Sequence, residues 1–375
     1  MARTGHTGPH LKPTAPEGSA RPRPLLGTSW DPTAFSVEVA AIYAEQVNEA
    51  PESVILLPSE YFDPPCVELS PGRRDEPDAE WRHCWSVGRC WKTTVAYEQL
   101  LGSCSTSSIN SDGAQPHPRL AAFIGRDPWT SLPVFAKPSG PPLGIFITQN
   151  KAAMYEEHSG AGASHRIRPS FRPLAYKWAL HLASALDYVH AQDIILGDLT
   201  SEHCWLSGSG SSSLSLFLVG FLDACYRDNV TGIKYLGGAC TGETFHPLCP
   251  LQPRERGARS REPDIQTDLF LWGCVVYEIM VGRWPGHEVP GRPWQDISMM
   301  IPRHEWPTLE REYLGQLVKG CWSGEVTSSR SLLEHLVKFL QTEGWQVEDG
   351  DDLQFDPSPL LPQVTTSLPR HPEQY

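Results

Sequence analysis

The sequence predicts an α+β protein of two unequal lobes, because stretches typical of β-strands come first and helices follow. Between residues 173 and 192, apolar side chains recur at steps of three and four, a spacing typical of an amphipathic helix. From Leu269 to Met280 the chain is apolar almost all round, so this helix must be buried on every side. Together these patterns place a strand-containing part ahead of a larger helical part.

The individual elements are predicted in order from apolar runs and the residues that interrupt them. A short apolar run between two prolines predicts a strand at 53–57. The spacing of Trp91, Val95 and Leu100 predicts a helix over 88–101, and a second apolar run predicts a strand at 120–125. The later elements are the helix over 173–192, strands at 203–206 and 214–219 joined by a Ser/Gly loop, the buried helix, and helices over 313–321 and 331–340.

Composition divides the chain into four parts. Residues 1–25 are rich in Pro, Gly and His with few apolar anchors, which predicts a disordered N-terminal segment. Residues 26–137 form the predicted smaller lobe, and residues 138–342 form the larger, helical one. Residues 343–375 are acidic and rich in proline, a composition that predicts a disordered tail.

Charge and composition exclude several classes of protein. Hydrophobic residues make up 40% of the 375 residues, enough to bury a substantial core. The formal net charge of −13 argues against a general nucleic-acid binder, whose surface would be basic. We therefore expect another protein as the partner, and no nucleic acid, membrane or identifiable small-molecule substrate.

Cellular location and metal content are predicted from features that the sequence lacks. Its ten cysteines do not have the close paired spacing of a zinc site, which favours reduced thiols in the core. The first residues lack the apolar stretch of a signal peptide, and no apolar segment reaches the ~20 residues of a membrane span. We expect an intracellular protein of the cytoplasm or nucleus that is not secreted and binds no metal.

Several segments, in this order and spacing, resemble those of protein kinases. They are Tyr97-Glu98-Gln99-Leu100-Leu101 with His117-Pro118, then Ile194-Ile195-Leu196-Gly197-Asp198-Leu199, then Thr267-Asp268-Leu269 running on to Gly282, and finally Cys321-Trp322 with Arg330. The series is similar to the protein kinase superfamily, and most of all to its divergent fungal, pseudokinase-like branch. The resemblance implies a two-lobed kinase-like fold with a small β-rich lobe and a larger helical lobe.

The resemblance also implies roles for individual residues. Asp198 stands at the catalytic-base position, and Asp268 would accept hydrogen bonds from the backbone of the catalytic loop. Glu262 and Arg330 would form a structural ion pair. His203 stands where kinases place a metal-binding asparagine. Gly220 is favoured at the metal-aspartate position, while a shifted register would place Asp223 there instead.

Other parts of the kinase residue set are missing. The phosphate-covering loop would lie near 26–31, where there is one glycine, and the lysine position is filled by Leu56. The glutamate that pairs with that lysine would lie near Thr93.

These losses favour a pseudokinase that acts as a binding or regulatory scaffold, with no cofactor assigned to it. Two alternatives remain. One is a divergent active serine/threonine kinase that uses ATP and magnesium, with Asp198 as base and Asp223 or His203 for the metal. The other is a small-molecule phosphotransferase.

Overall fold

The computed structural model describes residues 23–24, 41–45, 53–58, 85–102, 115–127, 132–158, 164–207, 214–236, 262–289 and 291–367. Within these residues the protein is mixed α+β, with eight α-helices and small antiparallel sheets. This confirms the α+β class. Almost all of the predicted N-terminal disordered segment, residues 1–25, lies outside the described residues, as does the predicted phosphate-covering loop at 26–31.

A five-stranded antiparallel sheet is the largest sheet among the described residues. Its strands pair in the order β1-β2-β3-β5-β4. The predicted strand at 53–57 is present as β3, and the one predicted at 120–125 begins later, as β4. The strands are β1 Arg23–Pro24, β2 Ala41–Glu45, β3 Ser53–Pro58, β4 Phe123–Arg126 and β5 Pro133–Ala136.

The first helix, α1, spans Trp85–Gly102 and packs against this sheet. Tyr97 on α1 lies between the rings of Phe123 and Phe135, with centroid distances of 5.4 and 4.9 Å. Such aromatic pairs stabilise the contact beyond the apolar area that they bury. The sheet and α1 therefore share one apolar core.

The helical part of the chain follows. Its helices are α2 Leu143–Gln149, α3 Lys151–Met154, α4 Arg172–His190, α5 Ile265–Val281, α6 Trp294–Arg303, α7 Gly315–Ser323 and α8 Ser329–Thr342. Paired strands lie between them or after them: β6 Tyr155–His158 with β7 Ser164–Ile167, β8 Cys204–Leu206 with β9 Leu216–Leu218, β10 Tyr226–Arg227 with β11 Lys234–Tyr235, and β12 Val347–Glu348 with β13 Asp352–Leu353. The four predicted helices in this region correspond to α4, α5, α7 and α8.

The predicted buried helix is α5, which packs against α4 and α7. Asp264 and Thr267 form a reciprocal capping box at its start, which satisfies exposed backbone N–H groups. Gly282 ends it at φ 75°, a left-handed conformation that favours glycine. Helix α5 is therefore capped at both ends, and most of its side chains are buried within the helical part.

The predicted disorder of residues 343–375 is wrong for the described part of that tail, residues 343–367. The segment contains the β12–β13 hairpin, and the Leu353 and Leu360 side chains are buried. Asp351 and Asp352 form ion pairs with basic side chains elsewhere in the fold. An acidic segment stays solvated when it has no basic partner. Here basic side chains of the fold pair with the segment and hold it.

No helix among the described residues has the length and apolar character needed to cross a membrane. Five cysteines in the described part of the chain are buried and form no disulfide there: Cys90, Cys204, Cys225, Cys274 and Cys321.

Candidate functional site

The loop that carries Asp198 is fixed from below by Asp268, at the start of α5. Its carboxylate accepts hydrogen bonds from Leu196 N at 2.7 Å and Gly197 N at 2.8 Å. It also lies 2.8 Å from His190 Nε2, and its side chain is completely buried. These are the backbone hydrogen bonds that were expected of Asp268. Hydrogen bonds to a charged carboxylate are stronger than those between neutral groups, so Asp268 holds the loop firmly in place.

Gly197 occupies a position that only glycine fits. Its φ is +73°, in the left-handed region. A Cβ atom there would stand 2.8 Å from the Asp223 carbonyl oxygen and 3.0 Å from the Pro263 ring. The segment containing Asp223 therefore packs directly on the Asp198 loop, and a larger side chain has no room at position 197.

Arg89 joins the two acidic residues of the site. This arginine comes from α1, and Asp223 follows strand β9. The Arg89 Nη2 atom donates a hydrogen bond to Asp223 Oδ2 and lies 3.5 Å from Asp198 Oδ2. Arg89 and Asp223 are buried, while the Asp198 side chain keeps 34% of its exposure. One guanidinium thus stands between two carboxyl groups from different parts of the chain.

Basic side chains lie on two sides of Asp198. His203 Nε2 lies 3.6 Å from Asp198 Oδ2. Desolvation would raise the pKa of Asp198, but His203 and Arg89 together lower it below its ordinary value. Burial raises the pKa of Asp223, helped by the negative charge of Asp198 and opposed by Arg89 and Lys92.

The segment after β9 is held against α1. The Phe221 ring stacks on Tyr97 with centroids 5.0 Å apart, and Phe221 N donates to Thr93 Oγ1 at 3.3 Å. The sequence favoured Gly220 over Asp223 at the metal-aspartate position. The structure brings the Asp223 carboxyl beside Asp198, because the chain turns after Phe221. A carboxyl group, which Gly220 lacks, is therefore present at the site and belongs to the residue that the shifted register named.

The positions expected for the lysine and its glutamate partner carry neither residue. Leu56 on β3 is completely buried, as a core side chain of the sheet. Thr93 on α1 is equally buried and engages the Phe221 backbone. Neither position supplies a charge to the site.

The predicted ion pair between Glu262 and Arg330 is wrong. Glu262 contacts Lys234 at 2.5 Å, and Arg330 contacts Asp187 on α4 at 2.8 Å. Arg330 lies at the start of α8, which packs on α4, so Asp187 is the carboxylate within its reach.

Arg89 is the site residue that the sequence patterns did not identify. The available signal was an arginine one turn before Thr93, on a mainly apolar helix that also buries Lys92. Buried arginine is rare unless it is paired, so such a residue predicts a buried acidic partner without identifying it. The basic run at 254–261, noted in the sequence, lies outside the described residues.

Among the described residues, no group of three or more His, Cys, Asp or Glu side chains is arranged to hold a metal ion. Asp198 and Asp223, the two carboxyl groups expected to bind a metal or a proton, are both in contact with the Arg89 guanidinium.

The chain matches no model of a known protein family.

Proposed function

We propose that this protein is a pseudokinase: a kinase-like module that binds another protein and does not transfer phosphate. The ordered series of kinase-like segments supports this proposal, as do the hydrogen bonds from Asp268 to the Asp198 loop. The arrangement of a small sheet with α1 ahead of a larger helical part is also consistent with two kinase-like lobes.

The observation that carries the proposal is the placement of Arg89. Phosphoryl transfer needs magnesium to neutralise the charge of the triphosphate, and carboxylates to hold the magnesium. Here the Asp223 carboxyl is already engaged by a buried cation from α1, which also lies within 3.5 Å of Asp198. A divalent cation entering this pocket would meet a fixed positive charge at close range, which strongly disfavours its binding.

Magnitudes support the same conclusion. Removing one preorganised electrostatic group from an active site costs about 2.7–4 kcal/mol of barrier, or ~100- to 1000-fold in rate. Leu56 and Thr93 replace the lysine and its glutamate, and His203 replaces an oxygen ligand with imidazole, which magnesium binds poorly. Combined losses of this size leave no efficient catalysis by the ordinary route.

An active kinase is the second candidate, and one observation favours it. The Asp223 carboxyl faces the same pocket as Asp198, so a base and one metal ligand are both within the site. Activity of this kind requires Arg89 to leave the pocket, and therefore a displacement of α1 or a new rotamer of its side chain.

Thermal melts with ATP, in the presence and absence of magnesium, test the proposal. We expect no magnesium-dependent rise in Tm for the wild-type protein. The variant Arg89→Gln removes the internal cation, so a magnesium-dependent rise should then emerge. Arg126→Gln is the matched control, because Arg126 also pairs with a carboxylate of α1, Glu98, but outside the pocket.

A clear magnesium-dependent rise at micromolar ATP in the wild-type protein contradicts the claim that Arg89 keeps magnesium out of the pocket. Labelled phosphate incorporated at ordinary kinase rates contradicts the pseudokinase proposal, provided that Asp198→Ala abolishes the incorporation. The first result alone would indicate a nucleotide-binding scaffold, and the second would indicate the active kinase.

A further inference from the structure

A basic groove lies between the segment preceding β4 and helix α4. Its cationic members are Arg119, before β4, and Lys177, on α4, both buried. His181 lies one turn further along α4 and is completely buried. Ser184 completes the row, because residues 177, 181 and 184 recur on one face of the helix.

Two consecutive acids from the C-terminal segment occupy this groove. Arg119 grips Asp351 through two hydrogen bonds, at 3.0 and 3.1 Å, and lies 3.1 Å from an Asp352 oxygen. The Asp352 carboxylate also meets Lys177 at 3.0 Å and His181 at 3.1 Å. Two-pronged contacts of this kind recognise a planar carboxylate by shape as well as by charge.

The groove is built to keep this arrangement. Ser184 Oγ donates to Asp351 Oδ2 at 3.2 Å. His181 Nδ1 accepts a hydrogen bond from Leu216 N at 3.1 Å, which leaves its Nε2 atom to face Asp352. The Arg119 carbonyl oxygen accepts from Leu218 N, so the arginine backbone is tied to strand β9. The groove side chains are therefore positioned by the fold and not by the acids alone.

The occupant is held mainly by apolar side chains that stay partly exposed. Across residues 343–367, Leu353, Pro357 and Leu360 are buried, while Trp345, Val347, Phe355, Leu361 and Val364 pack against the core without being fully buried. The pair of acids is presented by a tight turn in which Asp349 and Gly350 both have positive φ. A segment held mostly by partly exposed contacts opens at lower free energy than the fully buried core.

We propose that the groove of Arg119, Lys177, His181 and Ser184 is a recognition site for a segment with two consecutive carboxylates, which the chain fills with its own Asp351 and Asp352. An acidic segment of a partner protein binds there in competition with the C-terminal segment. The tethered C-terminal segment competes at an effective concentration in the millimolar range. The intact chain therefore binds free acidic peptides only weakly. This proposal does not depend on the pseudokinase function.

A labelled peptide of residues 345–356, added to the full chain, tests the proposal by fluorescence anisotropy. In the variant with Asp351→Lys and Asp352→Lys, repulsion from the groove releases the segment. The peptide should then bind at least about tenfold more tightly than to wild type, because the tethered competitor is gone. Binding should weaken as salt is added.

Two controls separate recognition from bulk charge. The variant with Glu348→Lys and Asp356→Lys makes the same charge change at exposed positions of the segment, and it should bind the peptide no better than wild type does. A peptide carrying Asn at both acid positions should bind none of the proteins. If the lysine pair does not fold, Asp351→Asn with Asp352→Asn provides the milder release. Equal binding to wild type and the folded release variant, or no binding to either, overturns the proposal.

Discussion

At the scale of single residues, the best-defined interaction is the one that Asp268 makes with the loop above it. Two backbone N–H groups and one imidazole nitrogen converge on a carboxylate that has no contact with solvent. Such a group is costly to alter, because buried donors left without an acceptor lose their full solvation.

We expect Asp268→Asn to lower the free energy of unfolding by about 3 kcal/mol. The amide keeps one oxygen acceptor and presents an NH₂ group to donors that need an acceptor. Urea denaturation measures the change. A loss below about 1 kcal/mol would mean that the loop finds other acceptors and that Asp268 does not organise it.

Arg330→Ala is the contrasting substitution. Its side chain is 66% exposed, and its ion pair with Asp187 lies at the surface, where such pairs contribute about 0–1 kcal/mol. We therefore expect urea denaturation to show a change within about 1 kcal/mol. The kinase resemblance had assigned Arg330 a structural pair with Glu262, and a large loss of stability would revive a structural role for this arginine.

The kinase resemblance implied the role of Asp268, while no pattern in the sequence implied that of Arg89. The backbone donors of Asp268 are 72 and 71 residues away along the chain, so the local pattern of α5 alone does not identify them. The partners of Arg89 lie more than a hundred residues away along the chain. Nothing local to α1 specifies which carboxylates will face it.

At the scale of secondary-structure elements, the contact between α5 and α7 depends on a small residue. Gly273 on α5 lies directly under Trp322 of α7, where a Cβ atom would stand 2.8 Å from the Trp322 Nε1 atom. No other residue allows the two helices to approach this closely.

Gly273→Ala should lower the free energy of unfolding by about 1–3 kcal/mol, because overpacking a tight core forces side chains or backbone to shift. Gly88→Ala is the matched control on α1, since no atom lies within 4 Å of the added methyl group. There the better helix propensity of alanine should stabilise the protein by about 0.5–1 kcal/mol. Thermal melts that gave both variants the same sign would contradict this account.

The long helices were predicted well, whereas several of the short strands were not. Helices α4 and α5 each span seventeen residues or more, and their apolar patterns are complete. Strands of two to four residues, such as β6, β7, β10 and β11, contain too few positions to establish an alternation. Their pairing is set by the surrounding fold.

At the scale of the whole molecule, stability should depend on pH through an acidic residue of α5. Desolvation raises the pKa of Glu278 to about 7, with Ser201 opposing the rise and Glu202 adding to it. Glu278 Oε2 is buried without a hydrogen-bond partner among the described residues. Its native-state pKa is thus above the ordinary value, so the folded state binds a proton more tightly than the unfolded chain does.

The sign follows from this difference. The stability associated with protonated Glu278 is fully present below its ordinary pKa of 4.5 and is lost as pH rises to about 7. Glu278→Gln should therefore change little at pH 4 and raise the free energy of unfolding by about 1–3 kcal/mol at pH 8. Urea denaturation at both pH values checks the prediction. An equal effect at pH 4 and pH 8 would contradict it.

His181 gives stability the opposite pH dependence, in the wild type and in the Glu278→Gln variant alike. Desolvation lowers the pKa of His181 to about 4, so its contribution to stability is lost as pH falls from about 6.5 toward 4. Because His181 is common to the wild type and the variant, the difference between them isolates Glu278.

The sequence by itself determined the α+β class, the long helices and the strand at 53–57. Each of these depends on residues close together along the chain, where periodicity and capping act. Only the tertiary structure decided that Arg89 contacts both Asp198 and Asp223. It also decided that Glu262 and Arg330 pair with other residues and that the acidic segment docks on α4. These are pairings of charges from distant segments, and a charge takes whichever partner the packing of apolar elements brings within a few ångströms.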